Sequence, residues 1–498
     1  MKRVLFAALL LLTACSAPAA SPDPAAPSAR LADAPPALGT NGAVVPALRW
    51  TPCHEMFQCA SAPVPLSYRD PHGPTITLSV IKLPASDPAH RIGSLFFNFG
   101  GPGTDGVGEL IRFGPRYPDA LRARFDLVSF DPRGIGGSAP ISCPGADHAP
   151  AGGSPLRARD AFFAASAAPG KACAAGSGAL LSHLSTANVA RDMDLLRQAL
   201  GEKTLNFYGY SYGTYLGGTY ANLFGDKLRA MVLDGTLDLV ANATGKPGQE
   251  HQPVDVRADV AAAQQQELDQ FFAVCAAAGP KCAFAAGDPK KRFADLFARL
   301  SQGPAGGTTI ASLFKTIDSA LYQSGRWKRL GETLNALPAV PGAALPVLDP
   351  YVPTHSPGFL AVQCVDSNNP SSAADYETLA ASERSRQPYF GLGAVFSMAQ
   401  CVGWPAHDED RYTGPWNRSR PNPVLVLNNR YDPATPLHNA QATASELGDG
   451  HVLVVDGYGH TSLNVHSACA SAATVAYLTA LTVPGQGATC APDTVPFP

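Results

Sequence analysis

Three residues of this chain have the types and spacing for acyl transfer: Ser211, Asp432 and His460. Ser211 lies in Gly209-Tyr210-Ser211-Tyr212-Gly213, between a β-forming run and a helix-forming one. In so sharp a turn a side chain at either glycine would strike neighbouring backbone, and the turn lifts the serine oxygen into the open. The helix that follows aims its first amides at that oxygen, where they favour a developing oxyanion. A serine nucleophile also needs a base and an acid to orient it, each on a loop at the carboxyl end of a later strand. Asp432 follows the apolar run 424–427, and His460 follows 452–455. In this reading His460 takes the serine proton and later gives it to the leaving group, while Asp432 fixes the tautomer and stabilises the imidazolium. Asp234 ends another apolar run and is the rival acid; Asp456 is too close in sequence to His460 and is read as support for its turn. His438 and His466 lie off the expected loop and are read as ordinary surface or core histidines.

The oxyanion needs a second amide. The apolar strand 94–99 runs into Gly100-Gly101-Pro102-Gly103, whose small residues leave backbone N–H groups free to point into a site. Gly101 and Tyr212 are therefore the expected pair of donors. The strand 125–130 leads into Asp131-Pro132-Arg133, whose charges are assigned to holding that loop rather than to catalysis.

These groups must be positioned by an α/β fold with a mostly parallel central sheet flanked by helices. Strands are expected over 64–68, 75–83, 94–99, 125–130, 204–208, 231–233, 424–427 and 452–455. The run 186–200 places Val189, Met193, Leu196 and Leu200 on one helical face, as a sheet-covering helix should. Residues 139–185 are rich in Ala, Gly and Pro and read as an irregular excursion. Strand signals fade after residue 237, where helical stretches over 256–278, 290–300 and 310–323 take over, and a closing helix is expected over 467–481. The organisation expected is a core over 47–236, a mainly helical cap inserted over 237–410, and the rest of the core over 411–498.

Met1-Lys2-Arg3, the apolar run 4–12 and Thr13-Ala14-Cys15 read as an export signal over 1–14, too short to span a bilayer. Leu12-Thr13-Ala14-Cys15 is similar to a bacterial lipobox, which makes Cys15 the expected lipid attachment point, the alternative being an ordinary secretory signal. The Ala/Pro/Ser-rich stretch 15–46 then serves as a tether, and the expected location is the outer membrane or outer surface, with release to periplasm or medium as the alternative. The other 10 of the 11 cysteines are even in number, as full pairing in an oxidising compartment requires. Pairing by nearest neighbours joins Cys53 to Cys59, Cys143 to Cys173, Cys275 to Cys282, Cys364 to Cys401 and Cys469 to Cys490, although sequence alone leaves connectivity open. No C-x-x-C pair is present, so no metal is expected, nor any other cofactor. A net charge of -3 and 15% charged residues point away from nucleic acid and from acidic membrane surfaces, so contact with a membrane is expected through the lipid alone.

Asn98-Phe99-Gly100-Gly101-Pro102-Gly103, Phe130-Asp131-Pro132-Arg133-Gly134 with Gly136 and Ser138, the Ser211 pentapeptide, Asp432-Pro433-Ala434-Thr435-Pro436 and Gly457-Tyr458-Gly459-His460 together resemble the tripeptidyl aminopeptidase branch of the α/β-hydrolase, proline-iminopeptidase-like serine peptidases. Val362-Gln363-Cys364-Val365-Asp366 and Cys401-Val402-Gly403-Trp404-Pro405 resemble that branch's C-terminal segment, and the likeness runs from about Trp50 to Cys490. Phe99 departs from it, standing where proline or histidine is usual. The resemblance implies an α/β-hydrolase fold and an exported serine peptidase that removes short peptides or single residues from a free N-terminus. An aminopeptidase also needs an anion for the substrate's ammonium; Asp366 is the expected one, its alternative being a structural ion pair. The other readings are a carboxylesterase of small acyl esters, since the same groups hydrolyse both classes, and a silent peptide-binding lipoprotein, which would have no need of all three reactive groups.

Overall fold

The computed structural model describes residues 38–146, 154–304, 307–337 and 351–498, all within one compact unit. The signal, Cys15 and the tether up to residue 37 lie outside the described residues. Among the described residues no helix is long and apolar enough to cross a membrane.

Ten strands form one sheet: β1 Thr51–Cys53, β2 Phe57–Pro65, β3 Thr75–Leu83, β4 Gly93–Asn98, β5 Phe125–Phe130, β6 Leu205–Tyr210, β7 Leu228–Asp234, β8 Val424–Tyr431, β9 Gly450–Tyr458 and β10 Thr489–Cys490. Their order is β1-β2-β3-β5-β4-β6-β7-β8-β9-β10. The pairs from β5 through β10 are parallel, and β1, β2 and β3 add an antiparallel edge. After β4 the chain steps to one side for β5 and to the other for β6, so a topological switch lies between β4 and β6. A crevice opens beyond the strand ends at such a point. The register aligns those ends: Asn98 pairs with Gly209, Tyr210 with Asp234, and Asp234 with Leu427. Four loops, those after β4, β6, β7 and β8, are thereby gathered at one edge.

The helices Thr186–Ala199 and Tyr212–Leu223 cover one face, where Val189, Met193 and Leu196 meet Phe96, Val128 and Phe207 in a buried cluster. On the other face Gly106–Phe113 and Ala468–Ala480 cover Phe97, Tyr208 and Leu425. Between β7 and β8 the described residues form helices and no strand. Val260–Ala278, Pro289–Leu300, Ile310–Leu321 and Trp327–Ala336 close over a core of their own that contains Phe271, Phe293, Phe314 and Trp327. All five disulfides join nearest neighbours: Cys53–Cys59, Cys143–Cys173, Cys275–Cys282, Cys364–Cys401 and Cys469–Cys490.

Two stretches differ from expectation. Residues 139–185 contain the helices Arg159–Ser166 and Ala168–Ser177, with Phe162 packed on Phe396, Phe163 on Tyr376, and Cys173 buried. Packing also begins inside the expected tether, since the Thr40 hydroxyl donates to Asp194 (2.6 Å) and Ala43 joins the sheet-covering core.

Asp131 and Arg133 hold their loop, as their position after β5 implied. Asp131 accepts from the amides of Val107 (2.9 Å) and Gly137 (2.8 Å). Arg133 is fully buried, and its five N–H groups donate to both oxygens of Asp192 and to the carbonyls of Pro65, Leu66 and His183. Removing one partner of such a pair leaves an uncompensated buried charge, which costs about 3–5 kcal/mol. Arg133→Ala should therefore lower the urea midpoint by that equivalent, whereas a change within about 0.5 kcal/mol, typical of a surface site, would contradict the pair's structural role.

Candidate active site

Ser211 stands between β6 and the helix Tyr212–Leu223 with φ 54° and ψ -125°. A non-glycine residue holds this region only when its surroundings impose it. Here the Ser211 amide donates to the carbonyl of Asp234 (2.8 Å). A Cβ on Gly213 would fall 2.5 Å from the carbonyl oxygen of Asn98, so the elbow helix packs directly on the end of β4. A Cβ on Gly100 would fall 2.6 Å from the carbonyl oxygen of Tyr210 and 3.2 Å from the Tyr212 amide nitrogen. The glycine loop after β4 and the elbow are thus in van der Waals contact. Among the described residues the amides of Gly101 and Tyr212 donate to no protein acceptor, and both residues line the cavity that Ser211 lines. Phe99 stacks between Tyr210 (5.8 Å) and Phe113 (5.8 Å), so the aromatic ring wedges the loop from behind.

His460 is buried, and its Nδ1 lies 2.9 Å from both carboxylate oxygens of Asp432. Asp432 also accepts from the amides of Ala434 (3.0 Å) and Thr435 (2.8 Å), which fixes the carboxylate in its loop. The His460 amide donates to the carbonyl of Tyr322 (3.1 Å), and the Tyr322 ring meets the imidazole edge-on at 5.1 Å. A cap residue therefore braces His460. The His460 Nε2 has no hydrogen-bond partner among the described residues. With Nδ1–H donating to Asp432, that nitrogen is the tautomer's acceptor. The end of β7 is a shared platform: Asp234 accepts from Ser211, and a Cβ on the next residue, Gly235, would lie 3.1 Å from His460 Cε1.

Asp234, the rival acid, makes no hydrogen bond to His460. Its carboxylate accepts from the Ser462 amide (3.0 Å), the Ser462 hydroxyl and the Tyr208 hydroxyl (3.0 Å), bracing the loop after His460. Burial pushes its carboxyl up to about 6. Asp456 pairs with Arg430 at 2.5 Å.

Asp366 is not among the residues lining the cavity, and this corrects the expectation for it. It is buried at the end of the helix Pro357–Asp366, whose Phe359 and Gln363 do face the cavity. Its carboxylate accepts from the Thr186 amide (3.0 Å), the Thr186 hydroxyl and the Tyr212 hydroxyl (3.1 Å), so its capacity is spent behind Tyr212. It makes no ion pair among the described residues, so the structural alternative is not met either.

The cavity, about 300 Å³, lies between core and cap, and three other carboxylates line it: Asp238, Asp255 and Asp318. Asp238 is taken by Lys246 (2.9 Å) and by capping the helix Leu239–Ala243. Asp255 and Asp318 make no ion pair among the described residues. Asp318 receives one long hydrogen bond from Gln264 (3.4 Å), and burial pushes its carboxyl up to about 7. A signal for it existed in the sequence. Phe314, Ile317 and Leu321 mark the buried stripe of Ile310–Leu321, and Asp318 sits on that stripe four residues after Phe314.

Residues 100–319 match the alpha/beta hydrolase fold family, and residues 387–490 match the family described as TAP-like protein. The chain is 29% identical to serine protease Hip1 of Mycobacterium tuberculosis, over 89% of this chain and 91% of that protein. It is 28% identical to a tripeptidyl aminopeptidase of Streptomyces lividans, over 89% of this chain and 85% of that one. It is 32% identical to carboxylesterase B of M. tuberculosis, over 94% of this chain and 95% of that one.

Proposed function

This chain belongs to the α/β-hydrolase family and is a serine hydrolase of the peptidase kind; from that premise we propose that it is an exported serine aminopeptidase, with Ser211 as nucleophile, His460 as base and Asp432 as acid. Ser211 Oγ attacks the scissile carbonyl carbon while His460 Nε2 takes its proton. The oxyanion is held by the amides of Gly101 and Tyr212, collapses as His460 protonates the leaving amine, and leaves the N-terminal fragment esterified to Ser211. Water, deprotonated by His460, then releases that fragment as a carboxylate. Export, with lipid on Cys15, belongs to the same reading and rests on the signal-like N-terminus alone.

One observation carries the choice of an aminopeptidase. Two carboxylates that make no ion pair among the described residues, Asp255 and Asp318, share a cavity with Ser211; Arg257 is the cation whose field reaches Asp255, and Asp318 has none. Half-buried anions in such a space favour a cation, and a peptide's N-terminal ammonium supplies one. A neutral ester does not. The carboxylesterase relative keeps ester hydrolysis as the second reading, because the same reactive groups perform it.

The test is Asp318→Asn. Losing a hydrogen bond to a charged group costs about 1.5–3 kcal/mol, so KM for a free-amine anilide should rise about ten- to a hundredfold while a short-chain ester is unaffected. Equal losses on both substrates would contradict the assignment. The pH dependence has a definite sign. Asp318 becomes a carboxylate as pH rises through about 7. A peptide amine loses its charge above about 8. The preference for free amine over ester should therefore peak between the two, and any limb common to both substrates cancels in the ratio. Folded Asp318 keeps its proton up to about 7 whereas the unfolded chain releases it near the ordinary aspartate value of 3.8, so stability falls as pH rises across that window. Asp318→Asn should melt higher than wild type at about pH 8, where both states of the wild-type residue are ionised.

A further inference from the structure

A second cavity of about 430 Å³ shares no lining residue with the one that holds Ser211. Its walls are the rings of Phe113, Tyr117, Tyr208 and Tyr210. The tyrosine hydroxyls are already engaged, Tyr117 with Tyr210 (2.9 Å) and Tyr208 with Asp234 (3.0 Å), so the rings offer only apolar faces. Besides the exposed side chains of His466 and Ser471, two polar groups on the lining are uncommitted among the described residues. The Thr474 hydroxyl is buried, with the residue 4% exposed, and has no hydrogen-bond partner. Arg116 is exposed and makes no ion pair, its guanidinium lying 5.8 Å from the Phe113 ring centroid. A buried hydroxyl without a partner is costly unless something binds it.

We propose that this cavity is a second binding site, for an aromatic carboxylate whose ring lies among the four aromatic walls, whose carboxylate meets Arg116 and whose far end carries a group that hydrogen-bonds Thr474. Each part follows from its partner: flat apolar faces take a flat ring, a free guanidinium takes a carboxylate, and an unpaired hydroxyl takes a donor or acceptor. The cavity wall contains Tyr210, which precedes Ser211, and Ser462, which lies two residues beyond His460. An occupant therefore touches both loops of the reactive set from behind, without occupying the substrate's space.

The test uses the full-length protein with 4-hydroxycinnamate and cinnamate as probes, titrated by calorimetry. The expected result is saturable binding of 4-hydroxycinnamate tighter than about 1 mM, with cinnamate weaker. Arg116→Ala should weaken both probes about tenfold or more, as loss of a charge-assisted bond does. Thr474→Val should bring 4-hydroxycinnamate down to the affinity of cinnamate and leave cinnamate unchanged. Binding should persist in Ser211→Ala and after a phosphonate has blocked the serine, so the outcome is independent of the catalytic reading. No saturable binding, binding indifferent to Arg116→Ala, or displacement by a peptide held in the Ser211 cavity would each overturn the proposal.

Discussion

Ser211→Ala should lower turnover of a free-amine peptide anilide about a millionfold, because nucleophile, base and acid act as one unit and the loss of the nucleophile forfeits the whole. The substitution removes one oxygen and leaves the elbow intact. The backbone at φ 54° is held by the Asp234 carbonyl and by the contacts of Gly213 and Gly100, none of which involves the hydroxyl. Melting temperature should therefore stay close to wild type, so that lost activity reports chemistry rather than unfolding. Turnover within about tenfold of wild type would mean that another group attacks the carbonyl.

Asp432→Asn carries the second large effect, about ten-thousandfold on turnover. The amides of Ala434 and Thr435 both donate to the same oxygen of Asp432, so an asparagine keeps its carbonyl oxygen there. Its NH2 group then takes the place of the other oxygen, 2.9 Å from His460 Nδ1, where it offers that nitrogen a donor in place of an acceptor. The imidazole is driven to the tautomer with hydrogen on Nε2, which cannot accept the serine proton. Asp234→Asn is the internal control. Its oxygens serve Ser462 and Tyr208 rather than His460, so turnover should fall by less than about tenfold. If Asp234→Asn proved the more damaging, the acid would lie at the end of β7.

The strands at the centre of the fold were legible because each is a short apolar run closed by turn residues; Thr75–Leu83 and Phe125–Phe130 stand where they were expected. The Ser211 elbow and the His460 and Asp432 loops were legible for a related reason. Their geometry is local to a few residues, and the parallel sheet brings the loops together by register. Nearest-neighbour pairing matched the disulfides because each closes a short excursion, at most 37 residues apart. What failed was long-range. The helices Arg159–Ser166 and Ala168–Ser177 carry too weak an apolar stripe to announce themselves, and are held by partners far along the chain such as Tyr376, Phe396 and Trp404. The two-residue β10 exists because β9 offers it an edge rather than through any pattern of its own. Asp366 was misplaced for the same reason. Nothing within the segment 362–366 reveals that Thr186 and Tyr212 consume its oxygens. Asp318 was overlooked because an acid on an apolar helical stripe gains its meaning only once the cap folds over the crevice. Glu267, fully buried with neither oxygen partnered among the described residues and its carboxyl pushed well up by burial, was invisible on the same grounds.

A cavity that takes a charged N-terminus, as proposed above, must distinguish substrates by their amine. The measurement that tests it most directly is kcat/KM of the purified protein on three matched substrates: a tripeptidyl anilide with a free amine, the same anilide N-acetylated, and a short-chain ester. The free-amine anilide should be cleaved, with acetylation costing about tenfold or more because it leaves the cap carboxylates without a counter-charge. Rapid ester hydrolysis with neither anilide cleaved would contradict it, and would make the protein an esterase built on a peptidase's frame.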